Sequence, residues 1–481
     1  MKISKGLELE LEITDLAFGG KGIAKIMIDP EAEKPFTIFV DGALPGQTVK
    51  ARISLKKRRY AEAKVLEVLK PSADEIAHDF QPTPGAPWLA FPIELQQKHK
   101  QAQVFELFKK FAGTNLATVF DEYIESPKIH FYRNKMDYSF GPTTETYTEQ
   151  KGTRGEDDFY KVWEHSGFGF GSKARGQFWL VENLENPSGL FDKDFESHLP
   201  AFRALCQSIE PSVYNSKTNE GFWRQLVVKK SFHEDKFLLN IITNLSEGDF
   251  EINTLVDFWK DALPKQIKGF YWTQSDDTGN ANDKFKTRDL VYGEATLTEK
   301  ICDLEFNISI DSFFQTNIFS AEELYQKAAS YVQASDHILE LFAGTGTISQ
   351  ILARQNPKAK ITSVEIVEAA VKDAKANAIK NKISNIEFVC ADVNVFMKTY
   401  AGKPPVVVLD PPRAGISPKV LQKIIDFAPQ EIVYVSCNAA TLARDTETLQ
   451  NSHFSLKTFS LVDQFPHTAH VECVTRFVRN A

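Results

Sequence analysis

From residue 311 onward, short apolar runs alternate with stretches of helical periodicity. His337–Phe342, Ala359–Val364, Ile386–Val389, Val406–Leu409 and Glu431–Val435 read as buried strands, and the stretch through Ala353 and Glu368–Asn381 read as helices between them. Apolar strands interleaved with amphipathic helices predict a parallel, doubly wound α/β sheet with ligands at the carboxyl ends of its strands. The first seventy residues have a period of two instead. Leu7–Asp15, Phe36–Val40, Gln47–Leu55 and Ala61–Leu69 are separated by glycine turns at Phe18–Gly22 and Ala43–Gly46, which predicts an OB-like β-barrel. Between lies a mixed α+β pattern, with a polar-rich amphipathic helix over Ile93–Phe111, strands at Phe178–Val181 and Gln225–Val228, and a polar loop over Ser275–Asp283. The expected domains are residues 1–70, 71–310 and 311–481.

Length and composition agree with that division. A chain of 481 residues holds about three domains, and 42% hydrophobic with 25% charged residues is a globular balance. Five scattered cysteines form no disulfide framework, which fits a reducing, cytoplasmic setting. No signal peptide and no membrane span are expected, because no apolar run approaches about 18 residues. Nor is an obligate protein partner evident. The net charge of −8 argues, taken whole, against a nucleic-acid partner. Its distribution tempers that: Lys56, Lys57, Arg58 and Arg59 precede Tyr60 between two strands. Such a run is either a solvated hairpin tip or a place where phosphates are neutralised and bases stack.

The chemistry-bearing residues lie at strand ends. Leu339–Thr347 carries a Gly-x-Gly loop, Gly344 and Gly346, after a strand and before a helix; the third glycine of the dinucleotide fingerprint is replaced by Ser349. The next strand ends at Glu365, suited to ribose hydroxyls, and the following one leads to Asp392, an acceptor near an adenine amino group. Helix capping explains each acid singly. The series fits S-adenosylmethionine better than a dinucleotide.

Val408–Arg413 presents Asp410 on a turn stiffened by two prolines. Cys437 ends the next strand at a helix N-terminus, where positive potential predicts a lowered thiol pKa. Cys206, Cys302 and Cys390 read as small buried hydrophobes. Glu472, on the apolar run Val471–Val478, is either a structural ion-pair partner or a general base. A thiol and a carboxylate suit methylation of a pyrimidine at C5. Thiolate addition to C6 makes C5 nucleophilic, and a base must then remove the C5 proton.

Ser312–Asn317, Leu341–Thr347, Asp410–Arg413, Val435–Asn438 and Gln464–Glu472 occur in the order of a known motif set. The chain resembles the RNA 5-methyluridine methyltransferases, whose sheet is of the class I, Rossmann-like type. The N-terminal unit is similar to the TRAM domain of the ribosomal-RNA members, and Phe131–Lys135 with Trp223–Val228 echo their central domain. The resemblance implies that Cys437 is the nucleophile and Glu472 the proton acceptor. It also implies that Gln315, Phe342, Thr347, Glu365, Asp392 and Asp410 contact S-adenosylmethionine, Asp410 facing the uracil edge as well. Phe313 then lies against the target base, or else packs in the core. The implied substrate is 23S ribosomal RNA; the alternatives are a tRNA uridine and, without thiol chemistry, an amino-group acceptor.

One departure concerns the iron–sulfur cluster of many ribosomal-RNA members. Lys70–His99 and Val181–Pro187 contain no cysteine, so no cluster is expected. Packing through Phe80, Trp88 and Phe91 is expected in its place.

Overall fold

The computed structural model describes residues 3–28, 34–151, 159–174, 177–245, 250–278 and 284–480. At the N-terminus, alternation drives Leu11, Ile38, Val40, Val49, Ala51, Ile53, Ala61 and Ala63 into one small core. The strands are Glu8–Glu12, Asp15–Leu16, Gly22–Ile26, Phe36–Asp41, Thr48–Lys56 and Tyr60–Lys70. The expected run Leu7–Asp15 breaks into two pieces, and Gly22–Ile26 is a strand hidden by its glycine-rich entry. Among the described residues no ladder joins the two edge strands, Glu8–Glu12 and Asp15–Leu16, so the unit is a six-stranded sheet.

The middle of the chain builds a seven-stranded sheet in which Lys135–Gly141 and Trp223–Ser231 are central neighbours. Helices Leu199–Ile209 and Asn253–Ala262 contribute to its aromatic core, where the rings of Phe195 and Trp259 stack 4.2 Å apart. Both expected strands belong to this sheet, within Gln177–Asn183 and Trp223–Ser231. Residues 279–283 of the expected polar loop lie outside the described residues.

The C-terminal sheet has eight strands. In chain order they are β1 (Phe120–Ile124), β2 (His337–Leu341), β3 (Lys360–Glu365), β4 (Ile386–Cys390), β5 (Val406–Leu409), β6 (Glu431–Ser436), β7 (Phe454–Val462) and β8 (Glu472–Arg479). Their spatial order is β4-β3-β2-β5-β6-β8-β7-β1. The helices that bear on the site are α1 (Ile93–Phe111), α2 (Ile318–Tyr331), α3 (Thr347–Gln355), α4 (Glu368–Lys380), α5 (Val393–Thr399), α6 (Pro418–Phe427) and α7 (Ala439–Gln450). Strands buried on both faces read as continuous apolar runs. Leu339, Val407, Leu409 and Ile432 therefore enter one core, and Ile338, Val406, Val408 and Val433 the other.

Two expectations are corrected. The sheet is mixed, because β8 runs antiparallel to both β6 and β7. A boundary at residue 310 also fails for residues 93–124. β1 adds to the sheet parallel to β7, and α1 buries Val104 and Phe108 in the same core as Leu449 of α7. The cause is apolar: Phe108 meets Phe459 of β7 edge-on at 5.1 Å, so this face of α1 finds its partner late in the chain.

Candidate active site

The glycine-rich loop leaves β2 through three residues of positive φ, Phe342 (66°), Gly344 (55°) and Gly346 (71°). For a phenylalanine that conformation is costly and marks a constrained site. A Cβ on Gly346 would come within 2.7 Å of the Phe388 ring, whereas one on Gly344 would meet nothing within 4 Å. The loop is therefore packed beneath and open above. Thr347, buried, begins α3.

Glu365 ends β3 and binds backbone. Its Oε2 accepts from Gly344 N at 2.8 Å, and its Oε1 accepts from Ile366 N at 2.8 Å and Val367 N at 2.9 Å. Asp392 caps α5, its Oδ1 accepting from Val395 N at 3.0 Å. Both acids thus have a structural role at these strand ends, and each carboxylate keeps lone pairs beyond those bonds. Gln315 offers its carbonyl to Asn134 Nδ2 at 2.9 Å.

Glu340 is a further acid at this site, and nothing in the motif reading pointed to it. It lies on β2 with 1% exposure; Ser349 and Ser363 donate to its Oε2, while Oε1 has no partner. Burial pushes its carboxyl up to about 7. A single charge inside the apolar run His337–Leu341 was the available signal.

Asp410, Cys437 and Glu472 come from three neighbouring strands. Burial raises the Asp410 carboxyl to about 7. Glu472 opens β8 at 5% exposure, and burial, then the neighbouring Asp410, raises it to about 8 against the opposing charge of Arg413. Among the described residues its carboxylate has no hydrogen-bond or ion-pair partner, which removes the ion-pair reading. For Cys437 the expectation of a lowered pKa is wrong. Burial, then Glu472 and Asp410, push the thiol up to about 11, with Arg413 opposing. A backbone hydrogen bond at this strand–helix turn lowers the thiol, but by less than burial raises it; Asn438 caps α7, accepting from Ala440 N at 3.1 Å.

The segment before Glu472 is held from beneath by α1. Lys100 Nζ donates to Asp463 Oδ1 at 2.7 Å, both side chains fully buried, and to the Phe465 carbonyl at 3.2 Å. Gln96 accepts from His467 N at 2.8 Å, and Tyr132 donates to the Pro466 carbonyl at 3.0 Å. Two polar side chains of α1, Gln96 and Lys100, are buried and spent on this loop rather than on solvent.

Phe313 is 70% exposed, which excludes core packing for it; Phe314 takes the inward position, 5.9 Å from Phe306. Lys56, Lys57, Arg58 and Arg59 are exposed at the tip between Thr48–Lys56 and Tyr60–Lys70, and the structure does not bring them into contact with the three-strand cluster. A cleft of about 500 Å³ does connect the two units. Its walls include Gly20, Gly42, Arg133, Arg413, Phe465 and His470.

The cysteine readings divide. Cys206 is buried and Cys302 is half-buried against the apolar core, but Cys390 is exposed at the end of β4 and is not a core hydrophobe. Among the described residues no group of three or more His, Cys, Asp or Glu side chains could hold a metal ion. Trp88 and Phe91 pack with Leu16 and Leu44, and Phe80 lies 4.8 Å from His130. Gln81 ties this stretch to the 183–187 segment, donating to Asn183 O at 2.6 Å and accepting from Glu185 N at 2.8 Å.

Comparison with known proteins decides the family. A family described as tRNA (Uracil-5-)-methyltransferase matches residues 283–479, and the TRAM domain family matches residues 4–66. An uncharacterized RNA methyltransferase of Clostridium tetani is 33% identical over 98% of both chains. The chain belongs to the RNA uracil-C5 methyltransferase family. A second relative, an uncharacterized RNA methyltransferase of Caldanaerobacter subterraneus, is 31% identical over 98% of this chain and 99% of its own. The fold of this methyltransferase is shared along its whole length: it is similar, with a TM-score of 0.71 and 23% identity over 98% of this chain and 100% of the other, to the Pyrococcus abyssi tRNA (uracil-54, C5)-methyltransferase solved with S-adenosyl-L-homocysteine. The six-stranded N-terminal sheet is its TRAM unit, and among the described residues no helix is long and apolar enough to cross a membrane.

Proposed function

We propose that this enzyme forms 5-methyluridine in 23S ribosomal RNA, with Cys437 as nucleophile and Glu472 as the base that removes the C5 proton. The observation that carries this reading is a buried carboxylate without a partner beside a cysteine at the same sheet end. S-adenosylmethionine, when bound, supplies an electrophilic methyl group. The open space above Gly344 and the unpartnered Oε1 of Glu340 fit such a ligand. Gln315, Phe342, Thr347, Glu365, Asp392 and Asp410 would hold it.

On the RNA side, Cys437 gives its proton to water and its Sγ bonds to uracil C6; the C5=C6 electrons move toward O4, leaving C5 nucleophilic. After C5 has gained the methyl group, Glu472 takes the C5 proton. The freed pair re-forms C5=C6 and expels Sγ as thiolate. A raised carboxyl suits a base that must accept a proton near neutral pH. Phe313 would stack on the target base, and Lys56–Arg59 would neutralise phosphates of the same RNA.

The residue windows 1–70, 71–310 and 311–481 serve as RNA-binding, central and catalytic parts, with residues 93–124 serving the last. Packing of Trp88 and Phe91 against the N-terminal sheet supports a chain without an iron–sulfur cluster. Methyl transfer from labelled S-adenosylmethionine to naked 23S RNA and to tRNA, followed by nucleoside mass spectrometry, tests the target. 5-Methyluridine in 23S RNA supports it; the same product in tRNA alone moves the target, and a methylated amino group rejects the chemistry.

A further inference from the structure

A buried lysine on the seven-stranded sheet has no place in the chemistry above. Lys229 lies on the central strand Trp223–Ser231 with 4% exposure. Among the described residues it forms no ion pair, and its Nζ donates instead to two carbonyls, Ser309 O at 2.7 Å and Ser312 O at 2.6 Å. The charged groups around it, Lys135, Asp311, Asp137 and Asp373, oppose and support its charge from strand, loop and helix alike, and burial dominates, pushing the amine down to about 7. An amine kept there at such a cost is held by what it binds.

What it binds is the start of the loop that carries Phe313 and Gln315. Ser309 and Ser312 lock that start: their hydroxyls lie 2.7 Å apart, and Ser312 Oγ donates to Asp373 of α4 at 2.9 Å. The far end is fixed by the same sheet. Asn134 donates through Nδ2 to Gln315 O at 2.9 Å and through its backbone N to Thr316 O at 2.7 Å. Between the clamps Phe313 projects at 70% exposure. A large exposed aromatic on a loop pinned on both sides is preorganised rather than mobile.

We infer that Lys229 is a positioning residue, through which the middle domain sets the loop bearing Phe313 to receive RNA. The middle domain is then a working wall of the active site rather than a spacer. The kinetic part of this inference rests on the proposed uridine chemistry; the structural part does not.

The test compares the full-length wild type, Lys229→Met and Lys229→Arg by amide hydrogen exchange and by steady-state kinetics on the RNA that the wild type methylates. Lys229→Met is expected to speed exchange in the 309–316 peptide at least about tenfold, and to raise the KM for RNA about tenfold with kcat within about twofold. Lys229→Arg, which keeps the donors, is expected to restore both. Wild-type exchange and KM in Lys229→Met overturn the inference. So does faster exchange spread evenly over the seven-stranded sheet, which marks Lys229 as a general stabiliser. Should Lys229→Met fail to fold, Asn134→Ala releases the other clamp and must give the same local signature. A wild type that does not methylate uridine rejects the proposed function and leaves the exchange result standing.

Discussion

Cys437 and Glu472 face each other at the open end of an antiparallel ladder. Ser436 on β6 pairs with Cys473 on β8, so the next residue along each strand toward the sheet edge is Cys437 on one side and Glu472 on the other. Burial governs the pKa of both groups, and the Glu472 carboxylate pushes the thiol higher still. Raised to about 8 and about 11, both groups favour their protonated forms near neutral pH.

Cys437→Ser is expected to lower kcat on RNA by at least about a thousandfold, because the oxygen nucleophile cannot be activated at this half-buried site. Steady-state methyl transfer checks it. An enzyme that methylates an amino group would keep its rate.

Activity and stability respond to pH in opposite directions. Glu472 and Cys437 must both be deprotonated to act, so kcat/KM is expected to rise with pH most steeply below about 8, where both hold protons, and less steeply above it, where only the thiol, held up to about 11, still does. The folded value of Glu472, about 8, lies above the ordinary 4.5, so between those two pH values the folded protein holds a proton that the unfolded chain has lost. Stability of the ligand-free enzyme therefore falls as pH rises across that window, with Asp410 and Glu340 adding to the fall up to about 7. Denaturant titrations at pH 5, about 6.5 and about 8 measure the slope; a stability that rises with pH contradicts the assignment.

Lys100→Met leaves the Asp463 carboxylate buried and unpaired, which is expected to cost about 3–5 kcal/mol. The double change Lys100→Met, Asp463→Leu is expected to recover most of that loss. Thermal unfolding of the three proteins separates the broken pair from lost packing.

Replacing Lys57, Arg58 and Arg59 by alanine is expected to raise the KM for RNA without changing kcat. The slope of log affinity against log salt should fall by about 0.7 for each phosphate that the variant no longer neutralises. A slope equal to that of the wild type would mean that the exposed tip is only a solvated turn.

Much of this site was legible because strands of a doubly wound sheet deliver their last residues to one edge. Val406–Leu409 and Glu431–Val435 read directly as buried strands, so Asp410 and Cys437 fell close to their ends. The thiol's pKa was not legible. It depends first on burial and then on Glu472, 35 residues away in a run whose register with β6 the pattern leaves open. The roles of Gln96 and Lys100 were hidden for a related reason: a polar side chain on a helix looks the same whether it meets water or a buried loop. Strand Gly22–Ile26 escaped because five residues beside a glycine turn carry too little alternation to stand out.

Turnover depends on Glu472 removing the C5 proton after the bond to Cys437 has formed. The most direct test mixes Glu472→Gln with S-adenosylmethionine and an RNA that the wild type methylates, then follows the protein by denaturing gel and intact mass. The expected result is a stable protein–RNA adduct carrying one added methyl group, and its loss in the double variant with Cys437→Ser. Continued turnover by Glu472→Gln, or no adduct on a good substrate, would contradict the assignment.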